Sequence, residues 1–298
     1  MFKNRAERKK EMGTYKIFVD TGSDIPEKVA EENNIGIIRF LSVFKDKSYV
    51  TGTELTTKEF YKKLLESDKI PTTSQTPYAD LYDTLKEASD RFDTVIYFTL
   101  SSNASGQHNS ALMVRNEILE ENPKADIRIV DTMSFSAYET MAALKAKELL
   151  DNGAGVDEAI EKSLEYIGKW KAYILVDTLE YLQKGGRLSK ASAVIGSLLD
   201  IKPVLTVKDG LIEPVEKIRG RKKLYKKLIE LVREYPGFDE NNAKFIVVQS
   251  NEEYGEETRS LLCEEFDIDD IDGYYELGPV IGTHIGPGTL AILFWVED

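Results

Sequence analysis

The sequence predicts an α/β protein built from two α/β domains. In the first half, short apolar runs alternate with helical patterns, an order typical of parallel strands in a doubly wound sheet. After about residue 170 the order changes, because two apolar runs meet at Asp209-Gly210, a dipeptide that favours an antiparallel hairpin. We therefore predict a three-layer N-terminal domain with a parallel sheet over 14–170, and a two-layer C-terminal domain with a mixed sheet over 171–298.

Each element of the first half follows from a local pattern. Apolar runs predict strands at 15–20, 35–44 and 94–100, and a strand followed by a turn at 126–132. Thr56 or Thr57 is the expected cap of a helix that starts there, and Ser23 or Asp24 is the expected cap of an earlier one. Further helical patterns occupy 78–90, 106–121, about 134–152 and about 156–168.

The second half begins with an apolar strand at 171–178 and a helix that ends in a glycine pair at 185–186. Two strands flank the hairpin signal over 202–218. The remaining strands are predicted at 244–250, 271–278 and 289–297, and further helices at 188–199, 219–235 and 252–266. Between the last two strands, GPVIGTHIGPG (278–288) is expected to form a rigid glycine-proline bend around His284.

Composition limits the function classes. The net charge of −13 argues against wrapping nucleic acid, because phosphate contacts need a basic face. The single cysteine, Cys263, excludes an intramolecular disulfide and a cysteine metal cluster, which indicates a reducing cytoplasm. Residues 1–13 are basic but no apolar segment follows them, so we expect a disordered extension and not a secretory signal.

Two loops rich in hydroxyl groups are the strongest candidates for a binding site. PTTSQTP (71–77) and SSNASG (101–106) precede helices, and neutral hydroxyls beside helix N-termini suit a carboxylate or a phosphate. They do not suit a hard metal ion, so no metal site is predicted. The alternative is ordinary helix capping, although several such loops on one edge of a parallel sheet favour a polar cleft.

Six motifs in order resemble those of the DegV family of bacterial fatty-acid-binding proteins. They are TTSQTP (72–77), SSNASGQHNSA (101–111), LEYLQKGGRLS (179–189), KPVL (202–205), RGRKK (219–223) and GPVIGTHIGPG (278–288). The resemblance implies two α/β domains around a buried long-chain fatty acid. It further implies a carrier without catalytic activity or cofactor, which presents the carboxylate to a separate ATP-dependent kinase for acyl-phosphate formation in phospholipid synthesis.

The resemblance also implies the head-group site. Thr73 and Ser105 correspond to the residues that hold the carboxylate, and His284 and Arg187 to residues close to it. Neighbouring hydroxyls of the same loops, Ser74 and Ser102, are further candidate donors. Two alternatives stay open, because His284 could instead satisfy a loop carbonyl and Arg187 could instead compensate a helix dipole.

The chain departs from the family pattern at three places. Thr76 precedes Pro77, so the proline is shifted by one position from the TSQP that is common in the family. Gln107 and His108 follow Gly106, where the family usually has threonine and an aromatic residue. Tyr138 and Glu139 stand where small residues are common. These departures leave the head-group residues in place, and we expect them to affect the acyl-chain preference and the mouth of the pocket.

A dense basic segment includes Arg219, Arg221 and Lys222. It is expected either to be a solvated helix face or to dock the kinase or an anionic membrane surface. The alternative function is a phosphotransferase-type enzyme acting on a small phosphorylated or hydroxylated substrate. Against that alternative, the sequence has no glycine-lysine phosphate loop and no visible carboxylate cluster for magnesium. Asp20, Asp24, Asp131 and Asp177 would contradict the second point if they converged in the fold.

Overall fold

The computed structural model describes residues 13–45, 47–188, 201–219 and 221–297. The first part of the chain contains seven strands among these residues: β1 (Tyr15–Asp20), β2 (Ile35–Ile38), β3 (Leu41–Phe44), β4 (Lys47–Val50), β5 (Thr72–Ser74), β6 (Thr94–Thr99) and β7 (Asp126–Asp131). Its helices are α1 (Glu27–Glu32), α2 (Thr57–Glu66), α3 (Tyr78–Arg91), α4 (Gln107–Glu121), α5 (Ala137–Asp151) and α6 (Val156–Gly168).

A parallel four-stranded sheet in the order β2-β1-β6-β7 forms the centre of this part. Successive side chains of a strand point to opposite faces. Val95 and Tyr97 of β6 therefore pack with α3 and α4, whereas Ile96 and Phe98 pack with α5 on the other face. The predicted three-layer arrangement with a parallel sheet is confirmed.

The apolar run 35–44 forms two strands and not the single strand that was expected. The chain leaves the parallel sheet at Phe40. The backbone N–H of Phe40 donates to the Thr21 hydroxyl at 3.0 Å, and its carbonyl accepts from Thr51 N. Beyond this break, β3 joins β4 and β5 in a small antiparallel sheet. The loop that carries the predicted head-group threonine is thereby held as a strand, β5.

The second part contains β8 (Trp170–Leu175), β9 (Ile201–Lys208), β10 (Leu211–Arg219), β11 (Phe245–Gln249), β12 (Gly273–Glu276) and β13 (Leu290–Trp295). They form a mixed sheet in the order β10-β9-β8-β13-β11-β12, where only β11 and β12 pair in parallel. The hairpin at Asp209-Gly210 and the mixed sheet are both confirmed. The helices described here are α7 (Glu180–Gly185), α8 (Arg221–Arg233), α9 (Glu252–Phe266) and α10 (Pro279–Ile285).

The parallel sheet and the mixed sheet each contribute one face to a shared hydrophobic cluster. One face of the mixed sheet packs on α8 and α9 through residues such as Phe245 and Phe294. The opposite face, which includes Ile174 and Leu293, belongs to the same cluster as β1 and the alanine-rich α5. The domain division at 170/171 stays a prediction. The helix expected at 188–199 and the extension at 1–13, apart from Gly13 and Leu188, lie outside the described residues.

GPVIGTHIGPG is a short helix and not the expected bend. Pro279 occupies the first turn of α10, where a missing N–H is tolerated, and Gly286 ends the helix with a φ of 91°. The start of α1 also differs from expectation, because Pro26 precedes the helix and no side chain caps it. The Asp24 carboxylate instead accepts hydrogen bonds from Ser136 Oγ and from the backbone N–H of Gly278, just before α10.

Two fully buried carboxyl groups meet at the end of β1. Asp20 N donates to Glu139 Oε1 of α5 at 2.7 Å, and the Asp20 carboxylate accepts from Gly22 N and Leu100 N. Burial raises the pKa of both groups, and the neighbouring Asp20 charge raises that of Glu139 further. Glu139 Oε2 has no hydrogen-bond partner in the described part of the chain. Glu139 therefore holds its proton more tightly than Asp20, which accepts more hydrogen bonds.

The tip of the β9–β10 hairpin rests on the SSNASG loop, and Gly210 makes this approach possible. Gly210 has a φ of +73°, and a Cβ there would lie 2.0 Å from Ser101 Oγ. Gly210→Ala should lower the free energy of unfolding by at least about 1–2 kcal/mol, the usual penalty of a left-handed conformation. Urea unfolding measures the change.

Gly168→Ala is the matched control, because Gly168 ends α6 and nothing lies near its missing Cβ. It should leave stability unchanged or raise it by up to about 1 kcal/mol. Equal losses for the two variants would contradict the packing of the hairpin tip against Ser101.

Glu139→Gln tests the buried carboxyl pair through pH. The pKa of Glu139 is raised in the folded protein above its unfolded value of 4.5. Such a group makes its full contribution to stability below pH 4.5, and this contribution is lost as the pH rises. The free energy of unfolding of the wild type should therefore fall between pH 5 and pH 8, and that of the variant should not. The difference between the two proteins should change by at least about 1.4 kcal/mol in favour of the variant, the equivalent of one pKa unit. Urea unfolding at both pH values gives this difference, and a difference that does not change with pH would show that Glu139 is ionised throughout.

Candidate functional site

A mainly apolar cavity lies between the two parts of the chain. Its volume is about 50 Å³. Four of the six predicted head-group residues line it, namely Thr73, Ser105, Arg187 and His284. The other walls are apolar side chains and backbone, contributed by Phe40, Leu100, Ala104, Phe135, Leu182, Gly210, Leu211, Ile212, Val280, Ile281 and Ile285. The cavity thus has a small polar group of residues on an otherwise apolar lining.

Strand β5 decides which hydroxyl of the TTSQ loop faces the cavity. Thr73 pairs with Ser42 of β3 and is half-buried. Ser74 points to the opposite face, is exposed, and its hydroxyl donates to Gln75 O at 3.3 Å. Because alternate residues of a strand face opposite ways, the structure places Thr73 at the cavity and Ser74 away from it.

The SSNASG loop contributes Ser105 but not Ser102. Ser105 N donates to Ser101 O, and Ser105 Oγ accepts from the backbone N–H of Gln107 at 3.2 Å. This places the Ser105 hydroxyl at the start of α4. Ser102 lies one turn earlier, with its N–H directed at the Asp131 carboxylate, and it is not part of the cavity lining.

His284 reaches the cavity from the last turn of α10. Its Nε2 lies 2.7 Å from Thr73 Oγ1. Burial, with a contribution from the nearby Arg187 charge, lowers the pKa of His284 to about 4. The imidazole is therefore neutral at pH 7, with one nitrogen as donor and the other as acceptor. In the described structure the imidazole of His284 forms its hydrogen bond with Thr73. A bond to a loop carbonyl, the alternative that the sequence left open, is not found among the described residues.

The glycine pair at the end of α7 makes room for this ring. A Cβ on Gly185 would lie 2.7 Å from His284 Nδ1, so a larger residue would displace the imidazole. Gly186 adopts a φ of +70° and ends the helix in the left-handed conformation that glycine favours. The sequence of α7 therefore determines how closely α10 can approach it.

Arg187 follows the glycine pair and spans to the SSNASG loop. Its Nε donates to Ala104 O at 3.0 Å, and its guanidinium also donates to Gly185 O. Burial lowers its pKa, although an arginine stays protonated at neutral pH. Among the residues with described positions, no carboxylate forms an ion pair with Arg187. The cavity therefore contains a positive charge beside Ser105, which favours an anion.

A second apolar cavity of about 30 Å³ lies next to the first. The two share Phe135, Ile281 and Ile285 as walls. The second lies between α5 and the mixed sheet, and three of its walls are the alanines 137, 172 and 291. Small side chains on facing elements leave this space, and it extends the apolar lining away from the polar residues.

The four aspartates named for the phosphotransferase alternative, Asp20, Asp24, Asp131 and Asp177, are not among the residues that line the cavity. No group of three or more histidine, cysteine, aspartate or glutamate residues in the described part of the chain could hold a metal ion. Asp20 and Asp24 are committed to contacts inside the core, and Asp131 accepts from Ser102 N and Met133 N.

No helix in 13–45, 47–188, 201–219 or 221–297 is long and apolar enough to span a bilayer.

The basic segment is only partly described. Arg219 is the last residue of β10, and Arg221 and Lys222 begin α8, but their side chains lie outside the described structure. Their docking role stays a prediction. Residues that sequence reasoning missed include Phe135, Ala104 and the hairpin tip at Gly210, because only the folded chain brings these segments to the cavity.

Known proteins share both sequence and fold with this chain. The family model described as "Uncharacterised protein, DegV family" matches residues 14–297. Protein DegV of Bacillus subtilis (strain 168) is 36% identical over 287 residues, which cover 93% of this chain and 97% of that protein. A DegV domain-containing protein of Clostridium perfringens is 34% identical over 286 residues, 95% of this chain and 98% of that one.

Two solved structures extend the comparison. DegV from Bacillus subtilis, described as a fatty acid binding protein, superposes with a TM-score of 0.84 at 32% identity and covers 96% of this chain and 100% of its own. A stearic acid-binding protein from Eubacterium ventriosum gives a TM-score of 0.86 at 25% identity, over 95% of this chain and 98% of its own. Motifs, fold and family match agree, and the chain is a member of the DegV family.

Proposed function

We propose that this protein binds a long-chain fatty acid, with the carboxylate at Thr73, Ser105, His284 and Arg187 and the acyl chain in the apolar cavities. The observation that carries the proposal is the meeting of these four side chains on an apolar lining. Structural relatives described as fatty acid binding proteins support it. The apolar chain supplies affinity, because each buried methylene contributes about 0.8 kcal/mol.

The polar residues orient the ligand. With its proton on Nε2, neutral His284 donates to Thr73 Oγ1, which leaves the threonine hydroxyl free to donate to the carboxylate. Ser105 Oγ, which accepts from Gln107 N, can likewise donate its own proton. Arg187 supplies the positive charge. These donors keep the carboxylate ionised in an otherwise apolar space, where an unpartnered one would take up a proton.

Binding requires side chains to move. The two cavities, of about 50 and 30 Å³, are each smaller than the roughly 150 Å³ apolar cavity that binds benzene in an engineered protein. A long acyl chain therefore has to displace Phe135, Ile281 or Ile285 and so join the two spaces. We expect the distal methylenes to lie between α5 and the mixed sheet.

The further proposal is that this protein is a cytoplasmic carrier without catalytic activity of its own. It would present the bound carboxylate to the catalytic subunit of a fatty acid kinase, which forms the acyl phosphate used in phospholipid synthesis. The chain has no phosphate-binding loop of its own, which supports a separate ATP-binding partner. The basic segment with Arg219, Arg221 and Lys222 is the proposed docking surface for that kinase, or for transient contact with an anionic membrane.

The head-group site is tested with Thr73→Val and Ser105→Ala, and Ser74→Ala is the matched control from the same loop. Each of the first two removes a hydrogen bond to a charged group, so palmitate affinity should fall about 10-fold or more. The exposed Ser74 should not matter. Mass spectrometry of the denatured wild type should detect a co-purified fatty acid, and calorimetry gives the affinities. Equal effects of all three substitutions would contradict this head-group site.

His284→Ala should lower acyl-phosphate formation by an added fatty acid kinase more than it lowers fatty acid binding, because Thr73 and Arg187 still hold the ligand. His108→Ala is the control, since His108 bonds to Thr99 through Nδ1 at 3.0 Å and is not in the cavity lining. Turnover is followed by ATP consumption with the ligand-loaded protein. Wild-type turnover of the His284 variant would remove the proposed role of the imidazole.

A further inference from the structure

Gln107 is a buried polar residue outside the cavity lining that contacts both head-group loops. It begins α4 two residues after Ser105 and is fully buried. Its own N–H donates to Ser105 Oγ at 3.2 Å. Its side-chain Oε1 accepts from the backbone N–H of Thr76, in the loop that carries Thr73, at 3.2 Å. One residue therefore fixes the serine hydroxyl and also holds the threonine loop.

The amide nitrogen of Gln107 connects the same residue to the central sheet. Nε2 donates to Tyr97 OH at 3.1 Å, and Tyr97 OH lies 3.4 Å from Asp20 Oδ2. Asp20 is in turn bonded to Glu139 of α5 through its backbone N–H. All four residues are 0% exposed. The path from Ser105 to α5 is thus a buried hydrogen-bond network, in which a lost partner leaves other groups unsatisfied.

The two loops also lie close to each other. A Cβ on Gly106 would lie 3.1 Å from Gln75 Oε1, so the loops approach closely beside Gln107. Thr76 is held from its other side by its hydroxyl, which donates to Arg39 O at 2.9 Å. The spacing between the two loops therefore depends on short polar contacts, and Gln107 makes such contacts with both loops.

We infer that Gln107 is the positioning residue of the carboxylate site. It sets the distance between the hydroxyls of Thr73 and Ser105 and anchors both loops on Tyr97 and Asp20. This inference rests on the proposed fatty acid binding. Two hydroxyls can donate to the same carboxylate only when their loops are held at a matching separation, and supporting contacts of this kind decide whether a site is properly formed.

The test uses palmitate labelled with ¹³C at the carboxyl carbon and followed by NMR. Gln107→Met keeps the length of the side chain and the backbone N–H but removes the amide contacts. It should weaken palmitate binding by about 10-fold or more, the loss expected when hydrogen bonds to a charged group are disturbed. The bound carboxyl resonance should also broaden or move toward that of free palmitate. Tyr97→Phe keeps Gln107 but removes the hydroxyl to which its amide nitrogen donates. This variant should change the carboxyl resonance in the same direction as Gln107→Met, but by a smaller amount.

Val114→Ala is the control for a purely structural effect. Val114 lies on the same helix, is fully buried, and packs in the cluster of α3 and α4 away from both loops. It should lower thermal stability while leaving the carboxyl resonance and palmitate affinity as in the wild type. A resonance unchanged in both Gln107→Met and Tyr97→Phe, or changed equally in Val114→Ala, would overturn the inference. Failure of the wild type to bind palmitate would instead overturn the proposed function itself.

Discussion

The 2.7 Å hydrogen bond between Thr73 and His284 is the contact on which the candidate site depends, because it joins two segments 211 residues apart in the chain. It requires β5 to be held in its small sheet, so that Thr73 faces inward. It also requires α10 to lie against α7, where Gly185 leaves room for the imidazole. The polar end of the cavity therefore exists only when both parts of the chain are folded together.

Burial decides which groups near this hydrogen bond are charged, because it shifts their pKa values. His284 is neutral because its pKa is lowered, so Arg187 is the formal positive charge beside Thr73 and Ser105. Deeper in the core, raised pKa values keep negative charge low at Asp20 and Glu139. An anion that enters the cavity would therefore meet the Arg187 guanidinium and several dipoles, with little opposing negative charge from Asp20 and Glu139.

Local patterns were sufficient for most elements of the fold, and long-range contacts account for the failures. Alternation of strands and helices predicted the parallel sheet, and Asp209-Gly210 predicted the hairpin. The break at Phe40 depends on bonds to Thr21 and Thr51, which no local pattern reveals. The motif resemblance indicated four residues that meet at the cavity, but Ser74 faces the other way because its loop is a strand. The role inferred for Gln107 depends on tertiary contacts in the same way.

The position of β13 has a consequence for the order in which the protein can assemble during synthesis. This strand lies between β8 and β11 in the mixed sheet, yet it is made after every other strand of that sheet. Until the ribosome has added it, β8 and β11 each present an unpaired edge, the kind of surface that invites pairing with another chain. The newly made polypeptide therefore passes through a stage at which association with other molecules competes with its own folding.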